Sequence, residues 1–479
     1  MPKSKTAKIT KIDKTQNDEV KSEDALMDEA PGIAVKATID MEDLAYGARE
    51  VTAEEAREIT TEGPIPLGVI PDLEVFPKMM KAWVIRKDRH GEPLKSFKEE
   101  VMPVPEPGPN EVVVLVMAAG INYNGIWAGL GEPVSVLDIH KQDYHIAGSE
   151  AAGIVWRVGA NVKSWKPGDE VVLHCNVEAE THSSRTETSY DFISYDPMAS
   201  RGQKIWGYET PGGAFAQFTK VQAQQVLRKP EHLTWEEAAS YCLCYFTAYR
   251  MLLTQAQLRP SEIVLVWGGA GGLGVFALQI CKMLGADAIA VVSSSDKADL
   301  CMELGAKGVL NRNDFPNLMF KHGETPEETK LRFSDMKKFG RALWDVLGER
   351  RNPNVVFEHV GEATFPTSAF ICSRFGRIVI CAGTTGFNLQ FDIRHVWMHQ
   401  KRIIGSHFAN ALECLRANAL VRKGIIKPVL SHAFKFSQLP RAHQNMYENT
   451  HSGKMSVLIQ APRIGLKNTK EVLEAARKR

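Results

Sequence analysis

Paired cysteines are missing from this sequence. The eight cysteines stand singly apart from Cys242 and Cys244, with no C-x-x-C and no histidines at zinc-finger spacing. Neither a disulfide framework nor a finger-type metal site is expected, and the usage suits a reduced cytoplasm. A charge imbalance is also missing. With 58 Lys and Arg against 57 Asp and Glu, the formal net charge of +1 supplies no general pull towards nucleic acid or an anionic membrane. The first twenty residues carry lysines but lack the apolar core of a signal peptide, so secretion is not expected. Long apolar runs are scarce. The stretch IVLVWGGAGGLGVFALQIC, residues 263–281, is long enough to cross a bilayer, but five glycines divide it. It reads as a strand, a turn and a helix within a sheet.

A chain of 479 residues exceeds one ordinary core, so two domains and accessory segments are expected. Residues 1–50 are polar and poor in aromatics and read as a mobile arm. Thr52 and Glu55 are spaced as a capping box opening the short helix TAEEAREIT, and residues 64–79 form a proline-punctuated surface strap. Residues 51–79 are therefore assigned to that helix and strap. From about 80 to 226 come short β runs broken by Gly and Pro: KAWVIR, EVVVLVMAAG, AAGIVWRVG, DEVVLHC and AFAQFTKV. WEEAASYCLCYFTAYRMLL, residues 235–253, has helical spacing and is expected to cross into a second domain. Between 263 and about 392 strand and helix alternate, which predicts a parallel sheet covered on both faces. RIIGSHF and KMSVLIQ read as strands returning to the first domain. The expected division is 80–240 with 395–479 as a catalytic domain, and 241–394 as a dinucleotide-binding domain.

GGAGGLG, residues 268–274, stands between a strand and a helix, as a phosphate-binding turn requires. Gly268, Gly269, Ala270, Gly271, Gly272 and Leu273 are the candidate pyrophosphate contacts. An NAD enzyme would usually place an acid at the end of the next strand. Here Ser293, Ser294 and Ser295 stand there, with Lys297 close behind. Hydroxyls and an ammonium suit a 2′-phosphate, so NADPH is the expected cofactor. The serines could equally cap the helix KADLCMELG, and both readings can hold together.

A β-rich domain, a glycine-turn unit and a C-terminal return resemble the medium-chain dehydrogenase/reductase superfamily over roughly residues 80–465. The resemblance implies an α/β fold with a GroES-like catalytic domain and a Rossmann domain. In zinc-dependent members a Cys-bearing turn and a Gly-His-Glu motif hold the metal. Here those places read GINYNG (120–125) and AGSEAAG (147–153), and the structural-zinc cysteines are absent, so no metal is expected. NYNGIWAGLGEPVS, DYHIAGSEAAGIVWRVG, KPGDEVVLHC, IWGYET, HLTWEEAA, VVFEHVG and RHVWMHQKRIIGSHFAN, spread over residues 122–410, are similar to the crotonyl-CoA carboxylase/reductase family and its enoyl-CoA reductase relatives.

That resemblance implies hydride transfer from NADPH to Cβ of a short 2-enoyl-CoA and capture of carbon dioxide at Cα. It also implies a homo-oligomer, a dimer or tetramer. The motif matches assign carbon dioxide and the enolate to Asn124, Tyr208, Glu209 and His407, and the CoA phosphates to Arg394. Tyr208 departs from the family pattern, where Phe is typical, and this raises the alternative of a plain reductase ending in protonation. Each residue also has an ordinary structural reading. Asn124 could cap a turn, Glu209 could serve a loop ion pair, His407 could be a strand histidine, and Arg394 could pair with Asp392. His359, His395 and His399 are read as loop or packing positions.

Overall fold

The computed structural model describes residues 62–178, 196–200 and 202–477, so the expected arm and the helix TAEEAREIT lie outside the described residues. The strand Glu111–Gly120 is buried from Val112 onward, which explains why its sequence is an unbroken apolar run rather than an alternating one. It pairs with Ala151–Val158 along one edge. Its other edge is shared by Phe218–Gln222 at one end and Lys454–Leu458 at the other. Glu170–Leu173, Val226–Arg228 and Leu430–Phe434 complete a seven-stranded sheet. KMSVLIQ thus returns to the first sheet, as expected.

The strap lies across this sheet. Its prolines leave it short of backbone donors, and its carbonyls are satisfied by side chains beneath. Gln217 Nε2 donates to the Ile65 carbonyl at 2.8 Å, Gln460 Nε2 to that of Val69 at 2.7 Å, and Trp156 Nε1 to that of Val75 at 2.8 Å.

The second sheet is six-stranded and parallel, in the order Gly308–Asn311, Asp287–Val292, Ile263–Trp267, Val355–Glu358, Arg377–Ile380, Arg402–Gly405. The order reverses beside Ile263–Trp267, and the glycine turn follows that strand. A cofactor crevice is expected at this switch point. Trp267 stacks on Phe339 of the helix Pro326–Leu347 with ring centroids 5.6 Å apart, above a core of Ile263, Leu265, Ile289, Val356 and Ile378.

Two sequence expectations are corrected. RIIG does not return to the first sheet; Arg402–Gly405 pairs in parallel with Arg377–Ile380 at the edge of the second sheet. So short a run as RIIG specifies a strand but not its neighbour. The segment 235–253 is not one helix. Trp235–Ala238, opened by a Thr234–Glu237 capping box, stops before Tyr241; Cys242–Tyr249 restarts and runs into a π-helical turn, Arg250–Gln255. The restart leaves the Leu243 N–H outside the helical ladder, where it donates to Glu150 Oε2 at 2.8 Å. Among the described residues, no helix is long and apolar enough to cross a membrane.

Candidate active site and cofactor cleft

The glycine turn is shaped by close approach. Gly268 has φ 59°, and a Cβ on Gly274, the first residue of the helix Gly274–Leu284, would lie 2.2 Å from the Gly268 carbonyl oxygen. Only glycine lets the helix end press against the turn. Above it opens a cavity of about 380 Å³ whose walls include Gly268, Ala270, Gly271, Gly272, Leu273, Ser293 and Lys297. Two expected contacts do not line it. Gly269 donates its N–H to the Val291 carbonyl at 3.0 Å. Ser294 hydrogen-bonds Asp296 and so holds that carboxyl below its ordinary pKa; it makes no side-chain cap.

Among the residues that the sequence reading did not assign to the cofactor, Arg312 and His359 line the same cavity. Arg312 lies beside Ser293 and Lys297, one residue beyond the strand Gly308–Asn311, and adds a guanidinium where a 2′-phosphate would sit. Its sequence signal is no more than a basic residue after a strand. His359, read as a packing position, also faces the cavity. Its Nε2 lies 2.9 Å from the Trp267 carbonyl and must carry a proton to donate there. Burial lowers its pKa, which favours the neutral ring.

A buried polar knot borders the same cavity through Asn122, Cys244 and Lys454. Lys454 Nζ is 2.7 Å from Glu150 Oε1, and both side chains are essentially inaccessible to solvent. The ammonium also reaches Asn122 Oδ1 at 2.5 Å, the Ile121 carbonyl at 3.0 Å and Cys244 Sγ at 3.6 Å. Asn122 Nδ2 donates to Glu150 Oε1 at 2.7 Å. Burial pulls the ammonium pKa down, but Cys244 and Glu150 outweigh it and hold the value above that of free lysine. Burial likewise raises the Cys244 thiol to about 11, so it is neutral. The adjacent Gly453 N–H donates to the Ala270 carbonyl at 2.7 Å, which fastens the knot to the cofactor turn. Among the described residues, no three His, Cys, Asp or Glu side chains gather as a metal site.

Asn124 and the loop bearing Tyr208 and Glu209 both approach the segment Gly148–Ser149, and Glu209 is near enough to His407 to act on it electrostatically. Asn124 is not a cap; it sits in the first turn of the helix Tyr123–Leu130, and its Nδ2 donates to Ser149 Oγ at 3.4 Å. The loop bearing Tyr208 and Glu209 presses on Gly148 and Ser149 through Gly207, where an added Cβ would lie 1.9 Å from the Gly148 carbonyl oxygen. Glu209 closes its own loop, with Oε2 accepting the Ile205 N–H at 2.7 Å. Burial, then the Glu209 charge, raise the Tyr208 phenol above its ordinary pKa. His407 follows the edge strand and lines a separate cavity of about 640 Å³ with Arg250, Asp196 and Cys381. Burial lowers its pKa, Glu209 pulls it back, and Arg250 lowers it further.

None of these four lines the cofactor cavity. The two spaces back onto each other at Cys244 and Cys381, thiols close enough for one to raise the pKa of the other. Arg394 stands apart. It borders a groove of about 650 Å³ between the helix Pro326–Leu347 and the short helix Arg394–Trp397. Its guanidinium is bonded to Asp392, Nη2 to Oδ2 at 2.7 Å and Nε to Oδ1 at 3.0 Å.

Residues 108–231 match the alcohol dehydrogenase GroES-like domain, and residues 272–422 the zinc-binding dehydrogenase family. Over 419 residues the chain is 52% identical to a crotonyl-CoA carboxylase/reductase of Cereibacter sphaeroides, covering 86% of this chain and 95% of that one. This chain belongs to the crotonyl-CoA carboxylase/reductase family. Solved structures agree with that placement in the family. One is crotonyl-CoA carboxylase/reductase AntE in complex with NADP, at 42% identity and TM-score 0.76, covering 84% of this chain and 99% of that one. Another is the 2-octenoyl-CoA carboxylase reductase CinF with NADP and 2-octenoyl-CoA, at 35% identity and TM-score 0.74, covering 83% and 92%. The fold is accordingly the GroES-like and Rossmann pair of medium-chain dehydrogenase/reductases.

Two outcomes test this geometry. Arg312→Ser is expected to weaken NADPH binding about tenfold, the loss of one charge-assisted contact, while NADH binding holds steady in fluorescence titrations. Lys454→Met leaves Glu150 buried without its partner and should cost about 3–5 kcal/mol of stability, read from the urea unfolding midpoint.

Proposed function

We propose that this member of the family uses NADPH to reduce a short 2-enoyl-CoA and fixes carbon dioxide at Cα, converting crotonyl-CoA to ethylmalonyl-CoA. The observation that carries this reading is the low acidity of every donor in the constellation. Asn124 offers a carboxamide, Tyr208 a phenol made less acidic than usual, and His407 an imidazole held towards its neutral form. Hydride delivered from NADPH to Cβ leaves an enolate on the substrate, and any acid nearby would quench it. Carbon dioxide has no net charge but two electron-rich oxygens, which weak N–H donors can orient without giving up a proton. Asn124 holds one oxygen and His407 the other. Glu209 orders a water at the pocket rim, and the Tyr208 ring keeps bulk water from Cα.

The chemistry is read as zinc-free. The metal-ligand places of the superfamily are taken here by Asn122 and Ser149, neither a good zinc donor, and Lys454 supplies the local positive charge. Arg394 is the proposed contact to the CoA phosphates, which would draw its guanidinium away from Asp392. A homo-oligomer is supported by the edge strand Arg402–Gly405, which has no strand on its outer side among the described residues. Ile393, Trp397, Met398 and Ile403 are exposed around it, as an edge covered by a second copy would require. All eight cysteines are unpaired, consistent with a reducing cytoplasm.

Incubation with NADPH, crotonyl-CoA and labelled bicarbonate tests the reading, and label should appear as the new carboxylate of the five-carbon product, ethylmalonyl-CoA. Product without label would leave the chain a plain reductase. Asn124→Asp is expected to lower the carboxylated fraction severalfold while NADPH oxidation continues, measured by chromatography of the acyl-CoA products. Tyr208→Phe should leave that fraction unchanged, since the phenol is a poor acid; a rise would identify it as a proton leak.

A further inference from the structure

One wall of the cofactor cavity is not supplied by the parallel sheet. Between the helix Leu439–Tyr447 and the strand Lys454–Leu458 of the first sheet runs the segment 448–453, and Tyr447, Asn449 and His451 line the cavity together with Lys454. The segment is fastened to the glycine turn. Gly453 donates its N–H to the Ala270 carbonyl at 2.7 Å and pairs in parallel with Gly271. Its own bend is held by Thr450, whose N–H and hydroxyl donate to the Asn445 carbonyl at 3.0 and 3.1 Å. Gly453 has φ 59°, and a Cβ there would lie 2.5 Å from the Val429 carbonyl oxygen, so only glycine fits at the point of attachment.

His451 precedes that attachment by two residues. Its Nδ1 is buried and finds no hydrogen-bond partner among the described residues, a costly condition for a polar atom unless a ligand meets it. The groups that face the ring come from four elements. Lys297 follows the strand Asp287–Val292, His432 lies on Leu430–Phe434, Lys454 opens the returning strand and is already paired with Glu150, and the Asn445 carbonyl belongs to the preceding helix. Arg312 and Tyr447 share the cavity wall, and among the described residues no Asp or Glu lines it. Burial, then Lys297, Lys454 and His432, bring the imidazole down to about 4 against the pull of the Asn445 carbonyl. A cavity with cations on its walls and no carboxylate suits an anion.

We infer that His451 is a cofactor-binding residue, carried by the first-sheet domain, whose Nδ1 donates to the pyrophosphate of NADPH. The choice between the cofactor's two anionic groups follows from the attachment. Gly453 is bonded at Ala270 and Gly271, in the turn that takes the pyrophosphate, whereas the 2′-phosphate is expected at Ser293 and Arg312. A pyrophosphate beside the ring also favours its charged form, so the imidazole gains a proton as the cofactor enters. NADPH is then gripped from both domains, by the turn on one side and by His451 on the other.

Fluorescence titrations with NADPH and with NADH test this in the wild-type protein, in His451→Phe, which keeps a ring without an N–H, and in His451→Asn, which returns a donor close to the place of Nδ1. His451→Phe is expected to weaken both cofactors about tenfold, the loss of one charge-assisted contact, and His451→Asn to recover most of that, with urea midpoints close to wild type in both. Unchanged affinity in His451→Phe overturns the inference, as does an Asn variant that binds no better than the Phe variant. A loss confined to NADPH overturns it too, because it would put the ring at the 2′-phosphate. The wild-type protein gives an independent readout by NMR after labelling with 13C-histidine, the signal being assigned by its loss in either variant. Saturation with NADPH should raise the His451 midpoint by at least about one pH unit, and a midpoint that stays in place sinks the proposed contact.

Discussion

The ion pair between Lys454 and Glu150 is the constraint on which the active region depends. It joins the end of the central strand at Asn122, the start of its neighbour at Glu150, the restarted helix at Leu243 and Cys244, and the returning strand at Lys454. Through Gly453 and Ala270 it also reaches the dinucleotide turn. An ion pair so buried is worth little over a well-packed apolar replacement, but it is severe to break, because the survivor is an unpaired charge in a medium of low polarity. Its value is specificity of position. An ammonium with three donors and four acceptors nearby fixes where the two halves of the cleft meet.

Around that fixed point the proposed chemistry is one of restraint. Orienting carbon dioxide needs hydrogen-bond donors, and an enolate needs protection from acids, and ordinary donors are also acids to some degree. Burial resolves the conflict with the same physics in opposite directions. It raises the Tyr208 phenol and lowers the imidazole of His407, a residue still open to solvent, and both directions favour the neutral form. Asn124 needs no such tuning, since a carboxamide does not titrate in water.

Much of the fold was legible because its signals are local. The glycines at 268–274 sit between an apolar β run and a helix, and no other arrangement satisfies that spacing. The amide and hydroxyl of Asn122 and Ser149, where zinc-dependent members of the superfamily carry ligands, were equally plain, because they are read from residue type alone. What was not legible depended on partners far along the chain. Arg402–Gly405 is a strand in either sheet, and only hydrogen bonding to Arg377–Ile380 decides which. Lys454 looks like any lysine near a C-terminus until Glu150, some three hundred residues earlier, is brought against it. Arg250 sits in a segment read as one regular helix, and the π-helical turn that turns it inward follows from packing.

By itself the sequence determined the α/β architecture of the medium-chain reductases, the place of the cofactor turn, and the residue types at the positions to which the proposed site is assigned, Asn124, Tyr208, Glu209 and His407. These follow from residue type at short spacing. Tertiary structure alone decided that Arg394 bonds Asp392 away from the other candidates, that Arg312 and His359 face the cofactor cavity, and that Lys454 is buried against Glu150. The reason is physical: acidity and charge pairing are set by burial and by neighbours in space, and neither is carried by the order of residues along a chain.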